Sequence, residues 1–436
     1  MKSLLLYLGS VGIIVLRSLR QHALSSLVTI LSVGLAAGLV MSVFSVARQS
    51  REAFSGGPVG FDAVLGARGS QLQLVLNTVF HLETSPGNIP WSLYEEIAAH
   101  PRVDLAIPYA VGDNFEGFRI VGTNARIFDS VYFGDNSESK TLLSFSPNSR
   151  VFDEARREAV IGSFVAAETG LTLGSHFNPS HGVSEMGASA LSDSAQHHHE
   201  QEYVVVGVLE PSGTPADRVL WIPIEGIYRM DGHVLRGDGE VFAAEDGHEI
   251  GDDHKEVSAV MLKLKSNRDG FFLSQEINGG RTDATLAWPI SASVAQLFDK
   301  LGWVSRVLEL VAYLVVVVAA GSILASLYNT MNERRREFAI LRSLGARRRT
   351  VFAVILCESS LIALFGSLLG FVFYLLILSV VAGVVRDQTG VVLDVFAYHP
   401  ALLWTPIGML GVGAIAGLLP ARKAYSTDVA ETLSRS

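Results

Sequence analysis

Asn332 to Thr350, NERRREFAILRSLGARRRT, is a short arginine-dense stretch between two long apolar runs. Its seven arginines resist transfer across a bilayer, so the stretch predicts the cytoplasmic side of a membrane protein. Four apolar residues recur at spacings that give a helix one apolar edge: Phe338, Ile340, Leu341 and Leu344. The pattern is compatible with a helix that docks onto a partner. A basic tether that only fixes the orientation of the chain fits the same residues.

The composition indicates an integral membrane protein. The chain has 436 residues, of which 49% are hydrophobic, enough for several membrane spans and a large soluble part. The formal net charge is -9, and most acidic residues fall between Arg48 and Lys300. An acidic domain outside and a basic face inside match this asymmetry. Because Cys357 is the single cysteine, the exported domain must be stabilised by packing and without an internal disulfide.

Four apolar stretches are long enough to cross the hydrocarbon core as helices. The sequence predicts a membrane protein with four transmembrane α-helices and a large α+β extracytoplasmic domain between the first and the second. The predicted order is an interfacial helix at 1–22, the first span at 23–46, the exported domain at 47–300, a stalk and second span at 301–330, a cytoplasmic coupling helix at 331–350, the third span at 351–385, an outer loop at 386–400, the fourth span at 401–421 and a cytoplasmic tail at 422–436. Both termini are then cytoplasmic.

The spans carry two further features. The third is longer than a bilayer requires, so we expect it to tilt, to bend near Gly366 and Gly370, or to project beyond the membrane. Glycines spaced four residues apart predict close helix contacts, either within a subunit or between two subunits. These pairs are Gly34 with Gly38, Gly366 with Gly370, and Gly413 with Gly417. Two charged residues near span ends, Glu309 and Glu358, are interpreted as interfacial or intersubunit contacts.

Branched and aromatic residues predict strands in the exported domain. The predicted strands are Val103 to Tyr109, Phe118 to Val121, Ala159 to Ile161, Tyr203 to Leu209, Val219 to Ile224 and Val257 to Leu264. Helices are predicted at Trp91 to Ala99, which follows Pro90, and at Gly162 to Thr169. Together these elements predict an α+β arrangement.

A histidine-rich insertion at 175–202 suggests metal binding, since imidazole and carboxylate groups are ligands for Zn²⁺. The candidate ligands there are His176, His181, His197, His198 and His199, and a second loop adds His248 and His254. Neither loop has the fixed spacing of a preformed site, so a solvated loop with incidental metal affinity remains the alternative.

No catalytic set emerges from the sequence. The chain has no GxxxxGK[ST] motif, which excludes nucleotide hydrolysis by a phosphate-binding loop of that type. It also has no nucleophile elbow and no HExxH motif. We therefore expect a non-catalytic subunit that binds no cofactor of its own.

Several segments resemble the FtsX-like, MacB-type ABC transporter permeases. NERRREFAILRSLGARRRTVFAVILCESSLIALFGSLLG resembles the family's second span, coupling helix and third span, and GLLPARKAYSTDVAETL is similar to its closing motif. LRSLRQHALSSLVTILSVGLAAGLV is similar to its interfacial helix and first span. Three exported segments resemble its periplasmic core domain: FDAVLGARGSQLQLVLNTVFHLETSPGNIPW, HPRVDLAIPYAVGD and EYVVVGVLEPSGTPADRVLWIPIEGIY.

The resemblance implies a multi-pass subunit of the bacterial inner membrane, with a periplasmic domain that a cytoplasmic ABC ATPase drives by mechanotransmission. ATP and Mg²⁺ would bind to that ATPase. The implied partners are a second permease of the same or a sister kind, membrane lipid, and a periplasmic adaptor or substrate-binding protein, with no nucleic acid. The residues expected to contact the ATPase are Glu333, Arg334, Glu337, Phe338, Leu341, Arg342 and Gly345.

The implied function is export or extraction of a periplasmic or outer-leaflet substrate. The histidine-rich insertion departs from the lipoprotein-export and wall-hydrolase branches, so the cargo stays open. A membrane-anchored regulator whose exported domain binds a metal or a protein, without ATP-driven transport, is the alternative. An enzyme in the exported domain ranks third.

Overall fold

The computed structural model describes residues 2–55, 60–129, 143–181, 201–230, 250–334, 337, 340, 342–343 and 345–426. The chain forms two compact units. The first, called the helical unit, comprises Met1–Ser50, Leu301–Val384 and Leu393–Ser436, and the second, called the sheet domain, comprises Arg51–Lys300 and Val385–Val392.

The α-helices, in chain order, are α1 Lys2–Gln21, α2 Ala23–Ser55, α3 Gln71–Thr78, α4 Trp91–Ala98, α5 Ser163–Thr169, α6 Ile224–Tyr228, α7 Asn267–Glu276, α8 Ile290–Glu333, α9 Arg348–Thr389 and α10 Ala401–Ser426. The strands are β1 Ala63–Ala67, β2 Ile89–Pro90, β3 Val103–Phe115, β4 Phe118–Thr123, β5 Glu158–Ile161, β6 His176–Phe177, β7 Ser180–His181, β8 Tyr203–Val208, β9 Val219–Pro223, β10 Glu256–Val257, β11 Ala259–Leu264 and β12 Ala284–Ala287.

Four helices of the described residues are long and apolar enough to span a membrane. They cover Ala23–Glu52, Gly302–Glu333, Arg348–Thr389 and Ala401–Arg422. The third span is one continuous helix of 42 residues, roughly 63 Å at 1.5 Å per residue, which is about twice the thickness of a hydrocarbon core. Of the three expectations for this span, projection beyond the bilayer fits best, because its last residues group with the sheet domain.

Helix α9 packs between α2 and α10 through small residues. A methyl group added at Gly34 would lie 3.1 Å from the carbonyl oxygen of Gly366, and one added at Gly370 would lie 2.7 Å from the Cβ of Ala37. On its other side, α9 meets α10, where a methyl group at Gly413 would lie 2.5 Å from the Cβ of Ala363. The paired glycines therefore serve contacts within the subunit, since only residues this small allow the backbones so close.

Hydroxyl groups add hydrogen bonds from α2 to α8 and to α9. Ser25 on α2 and Ser326 on α8 are hydrogen-bonded at 3.0 Å, and Ser45 on α2 lies 3.3 Å from the hydroxyl of Tyr374 on α9. In lipid such bonds contribute about 1 kcal/mol each. The second span is thereby fixed to the first near one end of the helical unit.

The sheet domain is built on one mixed sheet. Its strand order is β12-β1-β11-β3-β4-β9-β5-β8-β6, with β7 paired to β3. The pairs β4 with β9 and β5 with β8 are parallel, and the other pairs are antiparallel. A two-stranded sheet of β2 and β10 stands beside it. This architecture confirms the predicted α+β class.

Strand β9 shows why the sheet is covered on both faces. All five of its residues are buried. Leu220 and Ile222 pack into one hydrophobic cluster with α5 and α6, whereas Val219 and Trp221 pack into a second cluster with α3. A strand that is apolar on both faces is typical of the centre of a layered domain. The domain core therefore lies on both sides of this strand.

Candidate functional site

In the described part of the arginine-rich stretch, helical residues are followed by a glycine that ends the helix. We call residues 334–347, between α8 and α9, the linking segment. Glu337, Ile340, Arg342 and Ser343 have helical conformation. Gly345 then adopts a φ of +98° and its amide donates to the carbonyl of Arg342 at 3.1 Å. A left-handed residue at this place ends a helix, and glycine adopts it at the lowest cost.

Arg334, at the start of the linking segment, is buried inside the helical unit with 5% of its surface exposed. Its Nη1 donates to the Oγ of Ser18 on α1 and lies 3.8 Å from Oε2 of Glu358 on α9. Its Nε donates to Oε2 of Glu337 at 2.9 Å. One guanidinium group thus contacts α1, α9 and the linking segment.

Ser18 completes this arrangement by bonding to both charged partners. Its hydroxyl accepts from Arg334 and donates to Oε1 of Glu358 at 2.7 Å. Ser18 and Glu358 are both buried, at 1% and 3% exposure. Because an isolated charge is costly in such surroundings, Arg334 and Glu358 depend on each other, and removal of one partner is expected to cost about 3–5 kcal/mol.

A second polar contact joins the turn between α1 and α2 to the end of α8. His22, in the turn between α1 and α2, places Nδ1 at 3.1 Å from Oε2 of Glu333 at the end of α8. The other carboxylate oxygen of Glu333 accepts from the side-chain amide of Asn329 at 3.0 Å. We call the set Ser18, His22, Glu333, Arg334, Glu337 and Glu358 the inner junction.

The rest of the described linking segment presents a surface. Ile340 is 45% exposed, and Arg347, Arg348 and Arg349 are exposed as well. Arg342 is half-buried, and Glu337 keeps 47% of its side chain exposed while it bonds to Arg334. Phe338 and Leu341 lie outside the described residues. An apolar and basic surface of this kind can dock onto an acidic, apolar partner.

The predicted contact residues therefore separate into two groups. Arg334 is internal and bonded within the subunit, whereas Ile340 and the arginines after Gly345 face outward. Sequence reasoning missed Ser18 and His22 as partners, and it interpreted Glu358 as an interfacial or intersubunit contact. Glu358 instead bonds inside the subunit. A carboxylate in an apolar span was the available signal, because such a group requires a nearby cation.

The candidate metal ligands are distributed over several elements. His176 on β6 is exposed, with Nδ1 at 3.1 Å from Oε2 of Glu202. His181 lies on β7, where it pairs in register with Asp113 of β3. His254 ends a short turn at Asp252–His254. Among the described residues, no three histidine, cysteine or carboxylate groups are close enough to hold a metal ion. His197, His198, His199 and His248 lie outside the described residues.

Two buried groups show perturbed acidity in the sheet domain. Burial and the nearby charge of Arg119 lower the pKa of His81 to about 3, so this histidine is neutral in the folded domain. Burial also raises the pKa of the Tyr109 phenol. Both side chains pack edge-on against Trp221 in the core, which indicates a packing role.

Two family models match the chain. A model of the MacB-like periplasmic core domain matches residues 26–277, which is more than half of the chain. A model of the FtsX-like permease C-terminal region matches residues 309–429, which include the linking segment and the two spans that follow it.

Curated relatives agree with these models. An uncharacterized ABC transporter permease of Methanocaldococcus jannaschii is 25% identical over 217 residues, 48% of this chain and 54% of the relative. LolC, the lipoprotein-releasing system transmembrane protein of Neisseria meningitidis, is 27% identical over 194 residues, 41% of this chain and 47% of the relative. MacB, the macrolide export ATP-binding/permease protein of Burkholderia thailandensis, is 23% identical over 306 residues, 67% of this chain and 40% of the relative.

The chain spans about half, or less, of the length of these relatives. Among solved structures, the periplasmic region of MacB from Actinobacillus actinomycetemcomitans covers 55% of this chain and 94% of its own length, at 10% identity and a TM-score of 0.32.

Proposed function

The chain belongs to the FtsX-like ABC transporter permeases with a MacB-like periplasmic core domain, and we propose that it couples ATP hydrolysis by a separate ATPase subunit to conformational work of its extracytoplasmic domain. In this proposal the linking segment lies on the cytoplasmic side, as its arginines favour. The ATPase docks there, and its cycle displaces the segment.

The inner junction is the observation that carries this proposal. Arg334 begins the linking segment and is bonded to α1 and α9 in the same buried cluster. Since neither charge can be left unpaired at low cost, a displacement of the segment moves these helices together more easily than it breaks the cluster. The junction thereby fixes the start of the segment, at Arg334, to the helical unit, which a force-transmitting element requires.

The proposed substrate is a molecule of the outer leaflet or of the space outside the membrane, which the sheet domain would extract or export. The family membership supports this assignment. A second permease copy or a sister subunit would complete the membrane assembly, together with lipid and an adaptor or substrate-binding protein on the outer side. Zn²⁺ binding at the histidine-rich insertion stays a prediction.

Charge reversal on the linking segment tests the proposal. The double variant Leu341→Asp with Arg342→Glu replaces one apolar and one basic residue of the predicted docking edge. We expect it to lose co-purification of the ATPase from detergent-solubilised membranes by at least about tenfold, because about 1.4 kcal/mol of lost contact already corresponds to that factor.

A matched control makes the same chemical changes elsewhere. Leu173→Asp with Arg268→Glu alters one exposed leucine and one exposed arginine of the sheet domain, so ATPase recovery should equal that of the wild type. If the linking-segment variant also retained the ATPase and the cellular phenotype, the coupling role would be rejected.

A further inference from the structure

The outer end of the third span is built into the sheet domain. Helix α9 runs without interruption from the helical unit to Thr389, yet Val385–Val392 groups with the sheet domain. Gly390 ends the helix with a φ of +74°, and its amide donates to the carbonyl of Arg386 at 2.8 Å. The chain therefore turns at a fixed point as it leaves α9.

Gly390 lies tightly against a loop of the sheet domain. A methyl group added there would lie 3.1 Å from both Cγ and Cδ of Arg218 and 3.1 Å from the carbonyl oxygen of Thr214. Two residues further on, the amide of Val392 donates to the carbonyl of Gly213 at 3.4 Å. Contacts this close exclude any larger side chain at Gly390 unless Arg218 or the loop shifts.

Arg218 lies against two aromatic rings, those of Phe118 and Phe164. Its guanidinium carbon lies 5.1 Å from the ring centre of Phe164 and 5.5 Å from that of Phe118. From α9, the guanidinium carbon of Arg386 lies 5.7 Å from the same Phe164 ring. Burial lowers the pKa of Arg218, and the charges of Asp387 and Glu168 act against that effect. Cation–π contacts and an acidic neighbour thus stabilise Arg218 against the end of α9.

The loop at residues 211–218 is held by hydrogen bonds and packing of its own. The buried carboxylate of Asp217 accepts from the amide of Ser212 at 3.0 Å and from the amide of Gly213 at 2.8 Å. The hydroxyl of Ser212 also donates to it at 2.8 Å. At Gly162, before α5, an added methyl group would lie 2.3 Å from the carbonyl oxygen of Asp217. A loop bonded and packed in this way transmits displacement with little internal adjustment.

We propose that this contact, which we call the outer clasp and define as Val385–Val392 against residues 211–218, is a permanent connection through which the third span moves the sheet domain. It adds to the two chain connections through α2 and α8. In this role Arg218 and Gly390 are positioning residues. The inference rests on the proposed function, because it names the contact through which the nucleotide-driven movement would reach the sheet domain.

The test uses the full chain with its ATPase in nanodiscs and measures the nucleotide-dependent change in hydrogen exchange of the sheet domain. In a Cys357→Ser background, Gly213→Cys with Val392→Cys should form a disulfide. The Cβ positions are 3.6 Å apart, within the usual range of about 3.5–4.5 Å. A permanent contact predicts that the locked protein keeps its full nucleotide response.

Gly390→Ala should displace Arg218 or the loop and lower the response, because the added methyl group meets atoms of both at 3.1 Å. The control is Gly170→Ala, because Gly170 also ends a helix, with a φ of +73°, but has no atom of the described residues near its added methyl group. Both variants carry the same backbone penalty, so their melting temperatures and basal ATP hydrolysis should be alike while only Gly390→Ala lowers the response.

Three outcomes would overturn the proposal. The disulfide could fail to form although the wild type responds to nucleotide. The locked protein could lose its response, or Gly390→Ala could respond as Gly170→Ala does. Absence of any nucleotide response in the wild type would instead contradict the proposed function, and the role of the clasp with it.

Discussion

Arg334 contacts α1, α9 and the linking segment through one buried guanidinium group. Its importance could not be inferred from spacing alone, since Ser18 is 316 positions away in the chain. From the sequence, Arg334 was expected to contact the ATPase together with Arg342, whereas the structure separates Arg334, which is buried, from Arg347 to Arg349, which are exposed. Long-range packing determines which arginine is buried, and the local sequence pattern does not show it.

A double-mutant cycle tests the pairing of Arg334 and Glu358. Arg334→Met alone should destabilise the helical unit by about 3–5 kcal/mol, because it leaves a buried carboxylate without its cation. Arg334→Met with Glu358→Met should recover most of that loss, since the double variant buries no charge. Denaturant unfolding in detergent measures both. Strictly additive effects of the two substitutions would show that the side chains do not interact.

His81 predicts a pH dependence of the sheet domain. Its pKa is about 3 when folded and about 6.5 when unfolded, so below pH 6.5 the unfolded chain binds the extra proton and stability falls as the pH falls towards 3. At pH 5 this corresponds to roughly 2 kcal/mol relative to pH 8.

The variant His81→Asn isolates this effect, because asparagine tolerates the positive φ of 57° found at this position and does not titrate. The difference in unfolding free energy between wild type and variant should shrink by roughly 2 kcal/mol between pH 8 and pH 5. Unfolding of the sheet domain within the full chain, followed by tryptophan fluorescence, gives both values. A difference that does not change with pH would mean that folding does not lower the pKa of His81.

Among the helices, α9 lies between two other spans, α2 and α10. Its glycines meet α2 on one side, and its Ala363 and Ser359 meet the glycines of α10 on the other. The sequence predicted four spans and glycine-mediated contacts, but it left open whether those contacts lay within a subunit. Which helices the glycines contact depends on the tertiary packing of the spans, which the local sequence does not specify.

The strands of the sheet domain could likewise be predicted only in part from the sequence. β8, β9 and β11 are rich in branched residues, and all three were predicted. β1 and β12, AVLGA and ATLA, were not predicted, because alanine and glycine carry little strand preference. Both are stabilised by pairing with each other, and β1 also pairs with β11. Their partners are distant in sequence, so local composition could not reveal them.

Two glycines of α10 provide a matched test of helix packing. Gly413→Leu should destabilise the helical unit by about 1–3 kcal/mol or more, because the added side chain meets Ala363 and the carbonyl oxygen of Ser359. Gly411→Leu on the same helix should have little effect, since no atom of the described residues lies within 4 Å of its added methyl group. Resistance to unfolding by SDS distinguishes them. Equal losses would exclude the glycine contact between α9 and α10.

In the whole molecule, one chain carries the linking segment, the inner junction and the outer clasp. Helix α9 takes part in both of the last two, through Glu358 near its start and Gly390 just after its end. A rigid helix with a fixed contact at each end can carry a displacement without local unfolding. The family could be recognised from the sequence because its motifs are local. The contacts at the two ends of α9 join residues that are distant in the chain, so the sequence did not show them.

Site-specific photo-crosslinking in native membranes identifies the protein that contacts the linking segment. A benzophenone amino acid at Ile340, which is 45% exposed, should give an adduct with an ABC ATPase, whereas the same group at Val380, which is 68% exposed on the third span, should give none. An ATPase adduct specific to Ile340 is the result that the account predicts. Absence of that adduct, together with labelling of an Arg347→Cys variant by a membrane-impermeant thiol reagent added outside intact cells, would contradict it.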